Sequence, residues 1–175
     1  MREVTDPARI RAFMKRLGQV CRGKARVYLV GGSSAVLEGW RDTTLDVDLK
    51  IEGEEDAVLK QVPALKEELR INVELASPGD FLPELPGWRE RSPFIVREGG
   101  IDFFHYDFYA QALAKVERGH AKDLVDVGEM LKRRLVEPGK AMDLFARIEP
   151  ELYRYPAVDP ASLRKAAEAA FHPKA

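Results

Sequence analysis

The sequence of 175 residues predicts an α/β (α+β) fold: a small mixed β-sheet with flanking helices, followed by a helical C-terminal part. Three observations predict it. A short apolar run, Val27–Val30, stops at Gly31-Gly32. Two segments, Leu45–Ile51 and Ile71–Leu75, alternate apolar and polar residues with the period of a half-buried strand. Beyond Tyr106 the apolar period changes to that of a helix. The division expected is an α/β domain over residues 1–109 and a helical subdomain over residues 110–175.

In chain order, Asp6-Pro7 supplies a cap and a first-turn proline, and Ile10, Phe13, Met14 and Leu17 follow at helical spacing. Val27–Val30 reads as a buried strand. Gly31-Gly32 turns the chain, and Ser33 or Ser34 caps a helix running towards Trp40. On the next strand Asp46, Asp48 and Lys50 share one face; Leu45, Val47, Leu49 and Ile51 share the other. Glu54–Leu69 reads as a helix with a break or kink at Pro63. Ile71–Leu75 puts Asn72 and Glu74 on its polar face. A proline-rich ordered loop over residues 76–92 is anchored by Phe81, Leu82, Leu85 and Trp88. Phe94–Arg97 and Ile101–Phe104 flank Glu98-Gly99-Gly100, a hairpin signal. Ala110–Leu135 and Ala141–Ile148 are amphipathic helices, Tyr153–Val158 a linker, and Asp159-Pro160 opens a last helix ending before His172-Pro173.

Composition excludes several function classes. Lys plus Arg total 28 against 29 Asp plus Glu, a net charge of -1, so any RNA or nucleotide must be gripped by a local patch. The local basic candidates are Arg22, Lys24 and Arg26, and Lys132-Arg133-Arg134; each also reads as a solvated charge run. One cysteine, Cys21, rules out an intrachain disulfide and a Cys-rich metal site. His105 and His120 lack partners at zinc spacing. The charged N-terminus has no apolar signal core and no stretch approaches the roughly 20 apolar residues of a membrane helix, so a cytoplasmic protein with no membrane partner is expected. The aromatic run Phe103–Tyr109 reads as a core seam between sheet and helices, with a base-stacking platform as the alternative. Trp40 and Trp88 read as packing residues. Ser33 is not read as a hydrolase nucleophile, since no Gly-x-Ser-x-Gly surrounds it.

The chemistry lies in one combination. Gly31-Gly32-Ser33, at a strand end and a helix start, can hold a phosphate through backbone N–H groups and a hydroxyl. Asp46 and Asp48 at i and i+2 on a strand point the same way, with Cα atoms roughly 7 Å apart. Two like charges so placed repel, and a bound divalent cation offsets that. Taken singly, the first is an ordinary tight turn and the second a solvated polar face.

Together with Arg41-Asp42-Thr43 before the aspartates, residues 27–51 resemble the nucleotidyltransferase superfamily of polymerase-β-like folds, and within it the AbiEii/MenT-like minimal branch. The resemblance implies a sheet of nucleotidyltransferase type. It implies catalytic and metal-binding roles for Asp46 and Asp48, and nucleotide contacts from Gly31, Gly32, Ser33 and Arg41. A third catalytic and metal-binding carboxylate is expected; Glu74 is preferred, with Asp102 as the competing candidate. Lys115-x-x-Arg118-x-x-x-Lys122-Asp123-x-x-Asp126 resembles the branch's Lys and Lys-Asp-x-x-Asp helical motif. That implies nucleotide contacts from Lys115 and Lys122 and a structural or functional role for Asp123 and Asp126. On one continuous helix Lys115, Arg118, Lys122 and Asp126 share a face opposite Val116, Leu124, Val127 and Leu131, although Gly119-His120 is a candidate break. The reaction implied is transfer of a nucleotidyl group from a nucleoside triphosphate to a hydroxyl acceptor, with Mg²⁺ or Mn²⁺ as cofactor. RNA, tRNA in particular, is the acceptor implied, in a toxin–antitoxin setting with a cognate antitoxin as protein partner. The alternative is a non-catalytic member of the same fold that binds nucleotide, RNA or protein.

Overall fold

The structure, a computed structural model, describes residues 3–172. Pro173 and the first two residues of the charged N-terminus fall outside that range. The chain divides into two compact units. One takes the residues up to Ser77 with Ser92–Tyr106; the other takes Pro78–Arg91 with the residues from Asp107 onward.

The first unit is a mixed sheet with helices on one face. Helix α1 (Pro7–Val20) starts where expected: the Asp6 side chain accepts from the backbone N–H of Arg9, and Pro7 opens the helix. Its Ile10, Phe13, Met14 and Leu17 are buried. Strand β1 (Ala25–Val30) leads through Gly31 into α2 (Gly32–Glu38). Strand β2 (Asp46–Gly53) is followed by α3 (Glu55–Leu59) and α4 (Val62–Leu69), the single expected helix being split ahead of Pro63. Pro63 sits in the first turn of α4, where its missing N–H costs no helical bond. Strands β3 (Asn72–Leu75), β4 (Phe94–Glu98) and β5 (Ile101–His105) complete the sheet.

The sheet has five strands in the order β3-β2-β1-β5-β4. β1 runs antiparallel to β2 and parallel to β5; β2 is parallel to β3, and β4 antiparallel to β5. One face carries Val27, Leu29, Val47, Leu49, Ile51 and Phe103, packed with the apolar stripe of α1 into the core. The other face carries the alternating polar residues. Leu45 and Leu75, expected on the core side, are about half exposed at 53% and 52%. Both lie at strand ends, beyond the reach of the covering helices. Of the aromatic run, Phe103 is in the core and Phe104 stacks on Tyr28 at 5.2 Å, so packing holds these two rings.

The expected loop over residues 76–92 contributes residues 78–91 to the second unit, where a 3-10 turn at Pro78–Asp80 and helix α5 (Trp88–Arg91) order it. Leu82, Leu85 and Trp88 anchor it, whereas Phe81 is 43% exposed. Helices α6 (Phe108–Arg118), α7 (Ala121–Lys132), α8 (Pro138–Ile148) and α9 (Pro160–Phe171) follow. Asp159 caps α9 by accepting from the backbone N–H of Ser162. The expected helix over residues 110–135 is two helices. Gly119 takes φ 69° and caps α6, so α7 packs back against α6. Among the described residues no helix is long and apolar enough to cross a membrane.

Candidate active site

Val47, Leu49 and Ile51 are buried, which turns Asp46 and Asp48 to the opposite face of β2, both half-buried. Val30 pairs with Asp48, so the end of β1 delivers the glycine turn next to that carboxylate. Gly31 adopts φ 62°, a conformation that favours glycine, and a Cβ there would lie 3.6 Å from Asp48 Oδ2. At Gly32 a Cβ would collide with Thr44 Oγ1 and lie 3.5 Å from Arg41 Nη1. The sheet register thus gathers Gly31, Gly32, Arg41, Thr44 and Asp48. Thr44 is fixed from two sides: its hydroxyl donates to the Asp46 carbonyl at 3.0 Å, and its backbone exchanges two hydrogen bonds with Thr5. Gly32→Ala is expected to destabilise by about 1–3 kcal/mol through overpacking, and Thr44→Ala in the same chain to restore part of it, since it removes Oγ1 but leaves the Thr44 Cβ 2.9 Å away. Chemical denaturation of the two single variants and the double variant measures that coupling.

Ser33 departs from expectation. It is wholly buried, and its hydroxyl lies 2.9 Å from the Val30 carbonyl and 3.3 Å from that of Asp48. That hydroxyl faces the sheet rather than a ligand. It ties the turn to both strands.

β3 brings Asn72 opposite Asp46 and Glu74 opposite Asp48. The Asn72 amide donates to Asp46 Oδ1 at 2.7 Å and to Glu74 Oε1 at 2.9 Å. Sequence reading put Asn72 on this face but missed its role, because alternation specifies a face and not a hydrogen bond. The amide holds two like charges close while standing between them. Among the described residues no three His, Cys, Asp or Glu side chains are grouped to hold a metal ion. Glu74 therefore shares the face of Asp46 and Asp48 without completing a three-carboxylate cage. The donor set still fits Mg²⁺ or Mn²⁺: both groups are hard oxygen donors, and Mg²⁺ commonly takes one or two carboxylates, waters and substrate phosphates.

Asp102 lies elsewhere. It pairs with Arg26, four residues before Val30 on β1, about 13 Å along the strand from the Asp48 row. Arg97 donates to both its oxygens, at 2.6 and 3.0 Å, and this hydrogen bonding holds the Asp102 carboxyl below its ordinary range. A cleft of about 510 Å³ opens there, lined by Lys24, Arg26, Arg97 and Asp102 among others. It lies at the opposite end of the sheet from the aspartate pair, so volume and chemistry point to different places.

His105 joins a buried hydrogen-bonded chain that spacing along the sequence does not show. Its Nδ1 lies 2.6 Å from Ser34 Oγ and its Nε2 lies 3.1 Å from Glu38 Oε1. A carboxylate only accepts, so Nε2 carries the proton and Ser34 donates to Nδ1. Burial pushes the imidazole down to about 4 from 6.5, so at neutral pH this is a hydrogen bond and not an ion pair. The unfolded chain takes up that proton near 6.5, the folded protein only near 4. Stability is expected to fall by roughly 3 kcal/mol as pH drops through that window, and to be flat above it. Thermal midpoints against pH, with His105→Gln losing this component, check it.

The helical motif sits in the second unit in a geometry other than the one expected. Lys115 on α6 is 5% exposed; its Nζ lies 2.8 Å from Asp126 Oδ2 and 3.4 Å from Asp123 Oδ1 on α7. Arg118 also reaches Asp123 Oδ1, at 2.6 Å. The turn at Gly119 makes this possible and removes the shared face of Lys115, Arg118, Lys122 and Asp126. Lys122 is exposed and Leu124 points outward. The Lys115 ammonium is engaged by two buried carboxylates, an arrangement that holds α7 on α6. Lys132, Arg133 and Arg134 are exposed, Arg133 pairing with Glu129. Compared with protein-family models, curated proteins and solved structures, this chain finds no match.

Proposed function

We propose that the chain is a metal-dependent nucleotidyltransferase of the minimal, AbiEii/MenT-like kind, moving a nucleotidyl group from a nucleoside triphosphate to a hydroxyl acceptor. One observation carries the reading: Asp48 stands over a left-handed Gly31 turn while Asp46 projects beside it from the same strand face. Two carboxylates next to a half-buried glycine turn would suit a divalent cation and a triphosphate.

Asp46 and Asp48 would hold Mg²⁺ or Mn²⁺, which supplies neutralisation of phosphate charge and a more acidic acceptor hydroxyl. Backbone N–H groups at Gly31-Gly32 and the Arg41 guanidinium orient the triphosphate. The acceptor oxygen forms a bond to the α-phosphorus, the bond to the pyrophosphate oxygen breaks, and pyrophosphate leaves. The hydroxyl proton passes to a carboxylate on the same face; the proposal gives this role to Glu74, and its hydrogen bond from Asn72 beside Asp46 supports that. RNA, tRNA in particular, is the proposed acceptor, in a toxin–antitoxin setting with a cognate antitoxin.

A non-catalytic member of this fold is favoured by one observation, the Asn72 amide seated between Asp46 and Glu74. Incubation with labelled triphosphates, Mg²⁺ and total RNA separates the two. Label transfer that disappears in Asp46→Ala/Asp48→Ala supports the enzyme. Metal-independent ligand binding that survives the double change supports the binder.

A further inference from the structure

We infer that the outward face of α7 is a docking surface for an acidic amphipathic helix of another protein. The inference is independent of the reading of Asp46 and Asp48. It starts from an inversion. α7 packs against α6 with an inward face made of Asp123, Asp126, Val127 and Met130, all buried. Its outward face is the more apolar one. Val125 is 63% exposed and Leu124 is 48% exposed. Exposed Ala121 and Gly128 lie between them, and half-buried Leu131 borders them. At about 100° per residue these five positions form one stripe about 120° wide.

A helix that turns ionic residues inward and leucine and valine outward does not owe its pattern to its own unit. Lone exposed apolar residues need no explanation, but a continuous stripe does. Gly128 adds to it. Glycine inside a helix costs about 1 kcal/mol relative to alanine. A Cβ at Gly128 would meet nothing within 4 Å, so packing inside this chain does not require the glycine. Close approach of a second helix backbone does require it, and Ala121 extends the shallow groove by two turns.

Charge decides the occupant. Lys122 flanks the stripe, and Lys132 followed by Arg133 and Arg134 closes its C-terminal end. The acid on this border, Glu129, is engaged by Arg133 at 3.2 Å. A second copy of α7 would set cations against cations in either orientation, Lys122 opposite Lys132 or each opposite itself. A helix with leucines at i, i+3 and i+4 and glutamates beside them is complementary in both shape and charge.

The test uses the full chain and two synthetic helical peptides with one leucine seam, flanked by glutamates in one and by lysines in the other. Fluorescence anisotropy is expected to show binding of the glutamate peptide alone, weakened by salt. Leu124→Ser with Val125→Ser, Lys132→Glu, and Gly128→Leu are each expected to weaken it about tenfold or more, with no fall in the thermal midpoint of the chain and a rise for Gly128→Leu, which removes a helical glycine. Equal binding of both peptides, binding of neither, or binding that survives Leu124→Ser with Val125→Ser overturns the proposal. So does self-association in sedimentation, or adsorption to anionic phospholipid vesicles, that the same double change abolishes.

Discussion

Replacing Asp46 and Asp48 together by alanine is expected to lower nucleotidyl transfer by about two to three orders of magnitude or more while leaving the chain folded. The two side chains lie on the polar face of β2, opposite the buried Val47 and Leu49 that hold the strand in the core. Removing them costs the hydrogen bond from Asn72 to Asp46 but leaves the buried Val47 and Leu49 in place. It also relieves repulsion between like charges on one strand, and alanine is no worse a strand former than aspartate. The loss is thus expected in turnover and not in the unfolding midpoint. Asp46→Asn with Asp48→Asn is the sharper control. It keeps the shape and removes the charge, so it should be equally inactive if the carboxylates hold a cation. Turnover within about tenfold of the unaltered chain in either double variant would contradict the assignment.

Lys115→Ala is expected to have the largest effect on stability, about 3–5 kcal/mol. Nζ of this lysine is the group that lets Asp126, 1% exposed, and Asp123, 4% exposed, lie between α6 and α7. Without it Asp126 loses its cationic partner in a buried position, and the cation left on Asp123 is Arg118. Asp123 Oδ2 already lacks a hydrogen-bond partner, so this carboxylate is under-satisfied even before the ammonium is removed. The paired replacement Lys115→Met with Asp126→Leu removes both charges at once and should recover most of the loss, because apolar residues of similar size often replace a buried ion pair at little cost. Urea unfolding of the two variants reads the difference. A loss under about 1 kcal/mol for Lys115→Ala would place the ammonium in a solvated pair of the ordinary surface kind.

Much of the fold was legible because it rests on period and punctuation. Alternation at Asp46–Ile51 and Asn72–Leu75 marked two strands and their polar faces, Glu98-Gly99-Gly100 marked the hairpin, and Asp6-Pro7 and Asp159-Pro160 marked helix starts. The turn at Gly31-Gly32 and the strand bearing Asp46 and Asp48 were legible for the same reason. What remained hidden depends on contacts between elements. The Ser33 hydroxyl is bonded to the Val30 and Asp48 carbonyls, acceptors that only the folded sheet brings to it. Asn72 joins Asp46 to Glu74 only because β3 is parallel to β2 in one register. Charged residues are ordinarily placed at the surface. Lys115, Asp123 and Asp126 escape that rule by satisfying one another across the break at Gly119, and the same break turns Leu124 outward.

Calorimetric titration of Mn²⁺ with a non-hydrolysable nucleoside triphosphate, into the full chain and into Asp46→Asn/Asp48→Asn, addresses the aspartate pair most directly. Cation and triphosphate are expected to bind the chain cooperatively, each tightening the other, and the double variant should retain neither the cation nor the coupling. Equal Mn²⁺ affinity in both proteins, or triphosphate binding indifferent to the cation, would contradict the proposed site.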